Sequence, residues 1–353
     1  MEILDQVKEI KGQFQRAQGK KEELLKNYII VHEKNLKDFE EKFIRTIKAP
    51  PNQNQGYLQG FGNQEFNYHL YPPTISFEMT LSKETSRLPI PLKGPWGVAY
   101  GSDDTLYISD TDDQVIISLK EYQTNRFPCQ LRDEPPYPRG VAVNSQENLV
   151  VVLSNLGKVG IYTTDGIRKM TFSSNGIEKD QLSIPRSVAV GPNDQIYVAD
   201  TENHRIQVFS KDGKHLTSFG RLGQKEGEFM YPIGIAYSNG FIAVTDCDNH
   251  RVQIFNSQGI FLSTFGSPGA ELGQFNKPNG ISFDHYGNIV VCDSENHRIQ
   301  LFSKDGQYIT CYGQKGTKQD ELQCPRGLAV SREGQLAIAD FANKRVQIVR
   351  IEY

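Results

Sequence analysis

The sequence predicts an all-β fold, a six-bladed β-propeller, preceded by a long N-terminal coiled-coil helix. Two observations lead to this prediction. The pattern Pro-x-Gly, an aliphatic residue and then Ala or Ser recurs six times between residues 95 and 329, once with Ser in place of Gly, at intervals of 43 to 47 residues. Ahead of these repeats, residues 1–49 carry apolar side chains at alternating steps of three and four. A repeat of this length with several short β-rich runs is typical of propeller blades, and heptad spacing is typical of coiled coils.

The coiled-coil helix is predicted over residues 1–49. Its main apolar stripe consists of Ile3, Val7, Ile10, Phe14, Ala17, Leu24, Tyr28 and Val31. Pro50 and Pro51 end it, because proline lacks the amide hydrogen that a helix needs. An apolar stripe on one helix needs a partner surface, so we predict a homodimer through residues 1–49. The alternative is that this helix packs on the propeller.

Residues 50–73 are predicted to be a linker, because Asn, Gln, Gly, Pro and aromatic residues dominate them. The propeller is then predicted over residues 74–353. Its sixth repeat reaches Tyr353 directly after a third strand, which would leave an open sheet edge. We expect Ile75–Leu81 to supply the missing fourth strand and to close the last blade.

Four short strands are predicted in each repeat. In the third repeat they are Ser187–Val190, Gln195–Ala199, Arg205–Phe209 and Lys214–Phe219. The turns between them contain Pro-Asn and Asp-Gly, and asparagine and glycine tolerate the positive φ of tight hairpins. Four antiparallel strands make one propeller blade.

The hairpin between the second and third strands carries the most specific motif. It reads Asp-Thr-Glu-Asn-His-Arg-Ile-Gln-Val-Phe from Asp200, and similar copies start at Asp246, Asp293 and Asp340. This motif resembles the NHL repeat, with four regular copies and two degenerate ones at residues 110 and 153. A heptad helix ahead of such a propeller resembles the C-terminal half of the tripartite-motif NHL (TRIM-NHL) proteins. The zinc-binding RING and B-box modules of that family are absent from this sequence.

That resemblance implies a non-catalytic recognition platform. Protein partners, including substrates of an associated ubiquitin ligase, are the first expectation, and single-stranded RNA is the alternative. No ubiquitin-transfer activity is expected of the chain itself.

Repeated charged residues are predicted to hold each blade together, because residues that recur in every blade usually serve the repeat. The expected ion pairs are Asp200 with Arg205, Asp246 with Arg251, Asp293 with Arg298, and Asp340 with Arg345. His204, His250 and His297 recur on neighbouring blades, too widely spaced to share one metal ion.

Non-repeated side chains on one face are the candidate binding residues. The loops that enter the innermost strands share this face with the loops between second and third strands. The candidates are Trp96, Arg139, Arg186, Tyr231, Lys277, Asn279, Arg326, Phe341 and Lys344. Arginine beside aromatic rings suits single-stranded RNA, since it offers phosphate contacts and stacking. Acidic residues on the same face and a net charge of −3 favour a protein partner instead.

Catalysis is the least favoured function. Some six-bladed propellers are metal-dependent lyases or lactonases with a central metal held by His, Asp or Glu. Here the variable position of Pro-x-Gly supplies Trp, Arg, Arg, Ile, Asn and Arg, which is no metal-ligand set. We therefore predict no catalytic residues, no metal and no cofactor.

The remaining composition predicts a cytoplasmic protein that does not associate with membranes. Five scattered cysteines, without any Cys-x-x-Cys pair, favour reduced thiols over a disulfide framework. No apolar run reaches the length of a membrane span.

Overall fold

Six four-stranded antiparallel sheets make up the residues that the structure describes. The computed structural model describes residues 73–81, 92–120, 123–129 and 135–353. The predicted coiled-coil helix over residues 1–49, and the linker over 50–73 apart from Pro73, lie outside the described residues.

The strands follow one another from the inner to the outer edge of each blade. Blades 1 to 3 consist of β2 (Pro95–Tyr100), β3 (Leu106–Asp110), β4 (Val115–Lys120), β5 (Gln123–Pro128), β6 (Pro138–Val143), β7 (Leu149–Leu153), β8 (Lys158–Tyr162), β9 (Arg168–Phe172), β10 (Ser187–Val190), β11 (Ile196–Asp200), β12 (Arg205–Phe209) and β13 (His215–Phe219). Blades 4 to 6 consist of β14 (Pro232–Ser238), β15 (Phe241–Asp246), β16 (Arg251–Asn256), β17 (Phe261–Phe265), β18 (Pro278–Phe283), β19 (Ile289–Asp293), β20 (Arg298–Phe302), β21 (Tyr308–Tyr312), β22 (Pro325–Val330), β23 (Gln335–Asp340), β24 (Arg345–Glu352) and β1 (Thr74–Leu81).

The ring is closed. Successive innermost strands contact each other around the ring, and β22 of blade 6 contacts β2 of blade 1. Strand β1 pairs antiparallel with β24, from Thr74 opposite Glu352 to Leu81 opposite Val346. It begins one residue before the closing strand expected from the sequence. The predicted all-β, six-bladed propeller is confirmed.

The hydrophobic core lies between the blades rather than at a single centre. Six clusters of buried side chains occupy the six junctions between neighbouring sheets. Between blades 2 and 3, for example, Val150 and Val152 pack with Ile196 and Val198. The second strand of a blade therefore buries one face against the preceding blade and the other against the next, which explains the nearly continuous apolar strands β7, β11 and β19.

Short 3-10 turns end several second strands and place the next residue in the left-handed region. These turns are Ser154–Leu156, Thr201–Asn203, Cys247–Asn249, Ser294–Asn296 and Phe341–Asn343, whereas the 3-10 turn Pro192–Asp194 lies between β10 and β11. His204 follows one of them with φ of 55°, and His250, His297 and Lys344 follow others with φ of 53–56°. No helix in the described ranges is long and apolar enough to cross a membrane.

The glycine of Pro-x-Gly is needed where neighbouring inner strands approach closely. A Cβ atom on Gly97 would lie 2.2 Å from the Arg139 carbonyl oxygen of blade 2. On Gly327 it would lie 2.2 Å from the Trp96 carbonyl oxygen of blade 1. The variable residue before each glycine is thus held beside the next blade at the entrance of the central channel.

Candidate site at the mouth of the central channel

The repeated Asp and Arg residues organise the loops of the candidate face. The buried carboxylate of Asp200 accepts hydrogen bonds from the Ser183 amide at 2.7 Å and from Asn203 Nδ2 at 2.9 Å. Arg205 Nε donates to Asp200 Oδ2 at 2.7 Å, and Arg205 Nη2 donates to the Gln181 carbonyl at 3.0 Å. The same Nε–Oδ2 contact, at 2.7–2.8 Å, joins Asp246 with Arg251, Asp293 with Arg298, and Asp340 with Arg345. Each pair ties its hairpin to the loop arriving from the preceding blade.

The repeated histidines connect each of their blades to the following one. His204 Nδ1 accepts the amide hydrogen of Tyr231 at 3.2 Å. His250 accepts that of Lys277, and His297 that of Cys324, in the same way. These side chains are therefore interblade contacts. No group of His, Cys, Asp or Glu in the part of the chain that the structure describes is placed to hold a metal ion.

Hydroxyl groups form a second set of interblade contacts, which the sequence analysis did not identify. Thr111 Oγ1 donates to the Pro138 carbonyl at 2.6 Å, and Thr201 Oγ1 donates to that of Pro232 at 2.8 Å. The signal was a hydroxyl residue directly after the second strand. In blade 6 this position holds Phe341, which cannot make the contact.

The six variable residues of Pro-x-Gly lie at one end of the channel, because the six innermost strands all run in the same direction along it. They are Trp96, Arg139, Arg186, Ile233, Asn279 and Arg326. The channel behind them has a volume of about 330 Å³ and is lined by the innermost strands. This end is also the face of the repeated hairpin loops.

Trp96 is the centre of a cluster of cationic and aromatic side chains. The guanidinium carbon of Arg139 lies 4.4 Å from its ring centroid, that of Arg326 lies 5.3 Å away and that of Arg186 5.9 Å away. Phe341 of blade 6 meets the indole edge-on at 5.5 Å. Cations over an aromatic face are attracted by its quadrupole. We call Trp96, Arg139, Arg186, Arg326 and Phe341 the Trp96 cluster.

No carboxylate in the described residues lies within ion-pair distance of the arginines of the Trp96 cluster. Arg139 Nε and Nη1, Arg186 Nε and Arg326 Nε are buried without a hydrogen-bond acceptor among the described residues. Arg326 Nη1 donates to Asn279 Oδ1 at 3.2 Å. Burial, assisted by the charges of Arg186 and Arg326, lowers the pKa of Arg139 to about 10. Burial likewise lowers the pKa of Arg186, and the nearby charges of Glu202 and Asp248 partly oppose this shift.

Two of the other candidate residues, Tyr231 and Lys277, form contacts outside this cluster. The ring of Tyr231 lies 4.7 Å from that of His204. Lys277 Nζ forms an ion pair with Asp248 at 3.2 Å. Asn279 is buried and positions Arg326, whereas Lys344 is exposed beside Phe341. The structure thus brings together five of the nine predicted binding residues, supports them with Asn279, and leaves the others at the rim.

Comparison with known proteins identifies the repeats. The NHL repeat profile matches residues 182–209, 229–255, 275–302 and 322–349. No curated protein matches the chain.

Solved structures with the same fold include enzymes. A streptogramin B lyase is 14% identical, with 80% of this chain and 98% of that chain covered and a TM-score of 0.56. A gluconolactonase from Xanthomonas campestris is 15% identical, with 79% and 95% covered and a TM-score of 0.57. At this identity the likeness shows the fold alone. The matched repeats and the closed ring together establish that the chain is a six-bladed β-propeller containing NHL repeats.

Proposed function

We propose that this chain is a non-catalytic recognition platform that binds protein partners through the hairpin-loop face of its propeller. The observation that carries this proposal is the Trp96 cluster, in which three arginines without carboxylate partners surround an aromatic pair. Trp96, Arg139, Arg186 and Arg326 are half-buried, so part of each side chain remains open to a partner. Aromatic and arginine side chains are the types that contribute most to protein interfaces.

The charge around the cluster favours a protein partner over nucleic acid. Glu202, Asp248 and Glu295 follow the second strands of blades 3, 4 and 5 and lie on the same face. A nucleic-acid backbone would have to pass these carboxylates, and a continuous basic surface is the usual mark of such binding. The TRIM-NHL resemblance supports partners that include substrates of an associated ubiquitin ligase.

Single-stranded RNA is the second candidate ligand. The observation that favours it is the placement of guanidinium groups and an indole ring together, since bases stack on such platforms. Binding of this kind would weaken steeply with salt and would be lost on Arg139→Glu or Arg326→Glu. Protein binding predicts no such common dependence on salt.

A lyase and a gluconolactonase are found among structures of the same fold, and a metal-dependent enzyme of either kind is the third candidate. The side chains at the channel mouth argue against it, because arginine, tryptophan and isoleucine do not hold a divalent metal and the single asparagine is not a ligand set. Stoichiometric zinc or calcium in the purified chain would support the enzyme instead.

The experiment that tests the platform is site-specific photocrosslinking in cells of the source organism. A photoreactive residue replaces Lys344, which is exposed beside Phe341, or Arg332, which is exposed in the turn between β22 and β23 at the opposite face. We expect protein adducts from position 344 and not from position 332. RNA adducts at position 344 would support the second candidate, and equal protein adducts at both positions would contradict a platform on this face.

We also propose that residues 1–49 join two copies of the chain and that the protein is cytoplasmic. The heptad spacing of the apolar stripe supports the dimer. Sizing of the full chain and of a chain lacking residues 1–49 tests it. A monomer in both cases would contradict the dimer.

A further inference from the structure

The arginines of the Trp96 cluster differ from the other arginines of the propeller face. The four repeat arginines, such as Arg205, each donate to a buried aspartate at 2.7–2.8 Å. No carboxylate in the described residues lies within ion-pair distance of Arg139, Arg186 or Arg326. Buried charged donors without acceptors are rare in folded proteins, and each calls for an explanation.

The surrounding contacts hold these guanidinium groups in place without neutralising them. Trp96 offers its ring to all three, and Phe341 extends the aromatic surface to Arg326 at 5.7 Å. Asn279, only 1% exposed, accepts from Arg326 Nη1 and itself donates through Nδ2 to the Lys277 carbonyl at 3.1 Å. A cationic site held in advance by neutral groups needs little rearrangement to receive an anion.

The like charges also lie close enough to affect one another. Arg186 and Arg326 both contribute to the lowered pKa of Arg139, and Arg326 contributes to that of Arg186. An anion bound among them would relieve this repulsion and supply the missing acceptors. Guanidinium groups recognise carboxylates through paired, charge-assisted hydrogen bonds.

We propose that the channel mouth is a receptor for one carboxylate group, presented by an acidic side chain of a protein partner. This inference rests on the platform proposed above and names the chemistry that the platform recognises. A single carboxylate fits better than a polyanion because the cationic site is confined to the channel axis. The acidic residues Glu202 and Glu295, in the loops of blades 3 and 5 on the same face, repel an extended chain of phosphates.

The only tryptophan of the chain lies in the site, so its fluorescence reports binding directly. The full-length protein is titrated with glutarate in place of chloride at constant ionic strength, with selective excitation of tryptophan. We expect a saturable change in Trp96 emission, with half-saturation at roughly 1 mM. Arg186→Gln should weaken glutarate binding by about tenfold or more, because a charge-assisted donor is lost.

Matched variants separate binding from folding. Arg332→Gln removes an exposed arginine at the opposite face and should leave the titration unchanged. Arg186→Lys keeps the charge and most of the volume but loses the planar fork, so it should fold and still bind more weakly than the natural chain. Thermal unfolding with and without glutarate gives a second readout, since a ligand that binds only the folded state raises the melting temperature.

Three outcomes would overturn the receptor. The first is the absence of a saturable change in Trp96 emission with glutarate. The second is glutarate binding by the Arg186 variants as tight as by the natural chain. The third is saturation of the Trp96 signal by octauridylate at a lower concentration than by a peptide rich in glutamate. The first two would leave protein adducts at position 344 intact, so the platform would survive without its carboxylate receptor. Loss of those adducts, by contrast, would contradict the platform itself.

Discussion

Replacing Gly234 by alanine tests how closely the blades approach around the channel. Gly234 is the glycine of Pro-x-Gly in blade 4, and its amide donates to Thr245 Oγ1 at 2.7 Å. The same hydroxyl donates to the Asn279 carbonyl of blade 5 at 2.6 Å. An added Cβ would lie 2.1 Å from that carbonyl oxygen and 3.0 Å from the hydroxyl. One methyl group would therefore strain both the backbone contact and the hydrogen bond between two blades.

The magnitude follows from this geometry. Relieving the contact requires blade 5 to move by roughly 1 Å, and overpacking of this kind costs about 1–3 kcal/mol. Loss of the Thr245 hydrogen bond adds about 1 kcal/mol. Because the ring is closed, neighbouring blades limit the movement, so we expect a loss near 3 kcal/mol. For a propeller of roughly 280 residues, this lowers the melting temperature by about 5 °C.

Scanning calorimetry of the Gly234→Ala and Ser187→Ala variants measures the change in melting temperature that each substitution causes. Ser187 occupies the same repeat position in blade 3, where a Cβ is already accommodated. Its replacement by alanine should change the free energy of unfolding by less than about 0.5 kcal/mol. Melting temperatures for the two variants within about 1 °C of each other would refute the reasoning.

Three further predictions concern the contacts between loops and blades. Asp293→Ala leaves Arg298 and its neighbouring donors without their buried acceptor. We therefore expect urea unfolding to show that the free energy of unfolding falls by about 3–5 kcal/mol. A decrease of less than about 1 kcal/mol would contradict this role of Asp293. Burial lowers the pKa of His297 below 6.5, so the stabilisation from its neutral ring is complete above that pH and is lost as the pH falls below it. His297→Asn should accordingly reduce the dependence of the melting temperature on pH between about 7 and 5, and an unchanged dependence would be evidence against the effect. Burial raises the pKa of the Cys247 thiol to about 12. An alkylating reagent should therefore modify Cys247 only as the protein unfolds in urea, which mass spectrometry can measure. Rapid alkylation of Cys247 in the native protein would contradict its burial.

The architecture could be predicted in detail because each repeat shows the same strand boundaries. Strands β10 and β12 have the bounds that the sequence predicted for Ser187–Val190 and Arg205–Phe209. Strand β11 is displaced by one residue, to Ile196–Asp200, because Asp200 pairs with Arg205 across the hairpin. Apolar patterning and turn residues determine which strands pair. The last residue of a strand depends instead on a single pair of residues, such as Asp200 with Arg205.

The Trp96 cluster could be placed on a face but not assembled from the sequence. Its members come from blades 1, 2, 3 and 6. The distances between their side chains depend on the tilt of each innermost strand relative to the channel. Tyr231 and Lys277 share the predicted face, yet each is occupied by a neighbour, His204 or Asp248. Whether a side chain joins the Trp96 cluster or contacts another neighbour depends on packing between blades. The spacing of the repeats in the sequence does not predict that packing.

The pairing of β1 with β24 has a mechanical consequence. Thr74 lies opposite Glu352, so the two ends of the propeller leave the sixth sheet on the same side. A force that separates these ends would peel the two strands apart one residue pair at a time, rather than loading all of their hydrogen bonds together. The ring is therefore least resistant to tension where β1 pairs with β24. Separation of these two strands would release β1, whereas each of the other five sheets consists of consecutive strands and would stay intact.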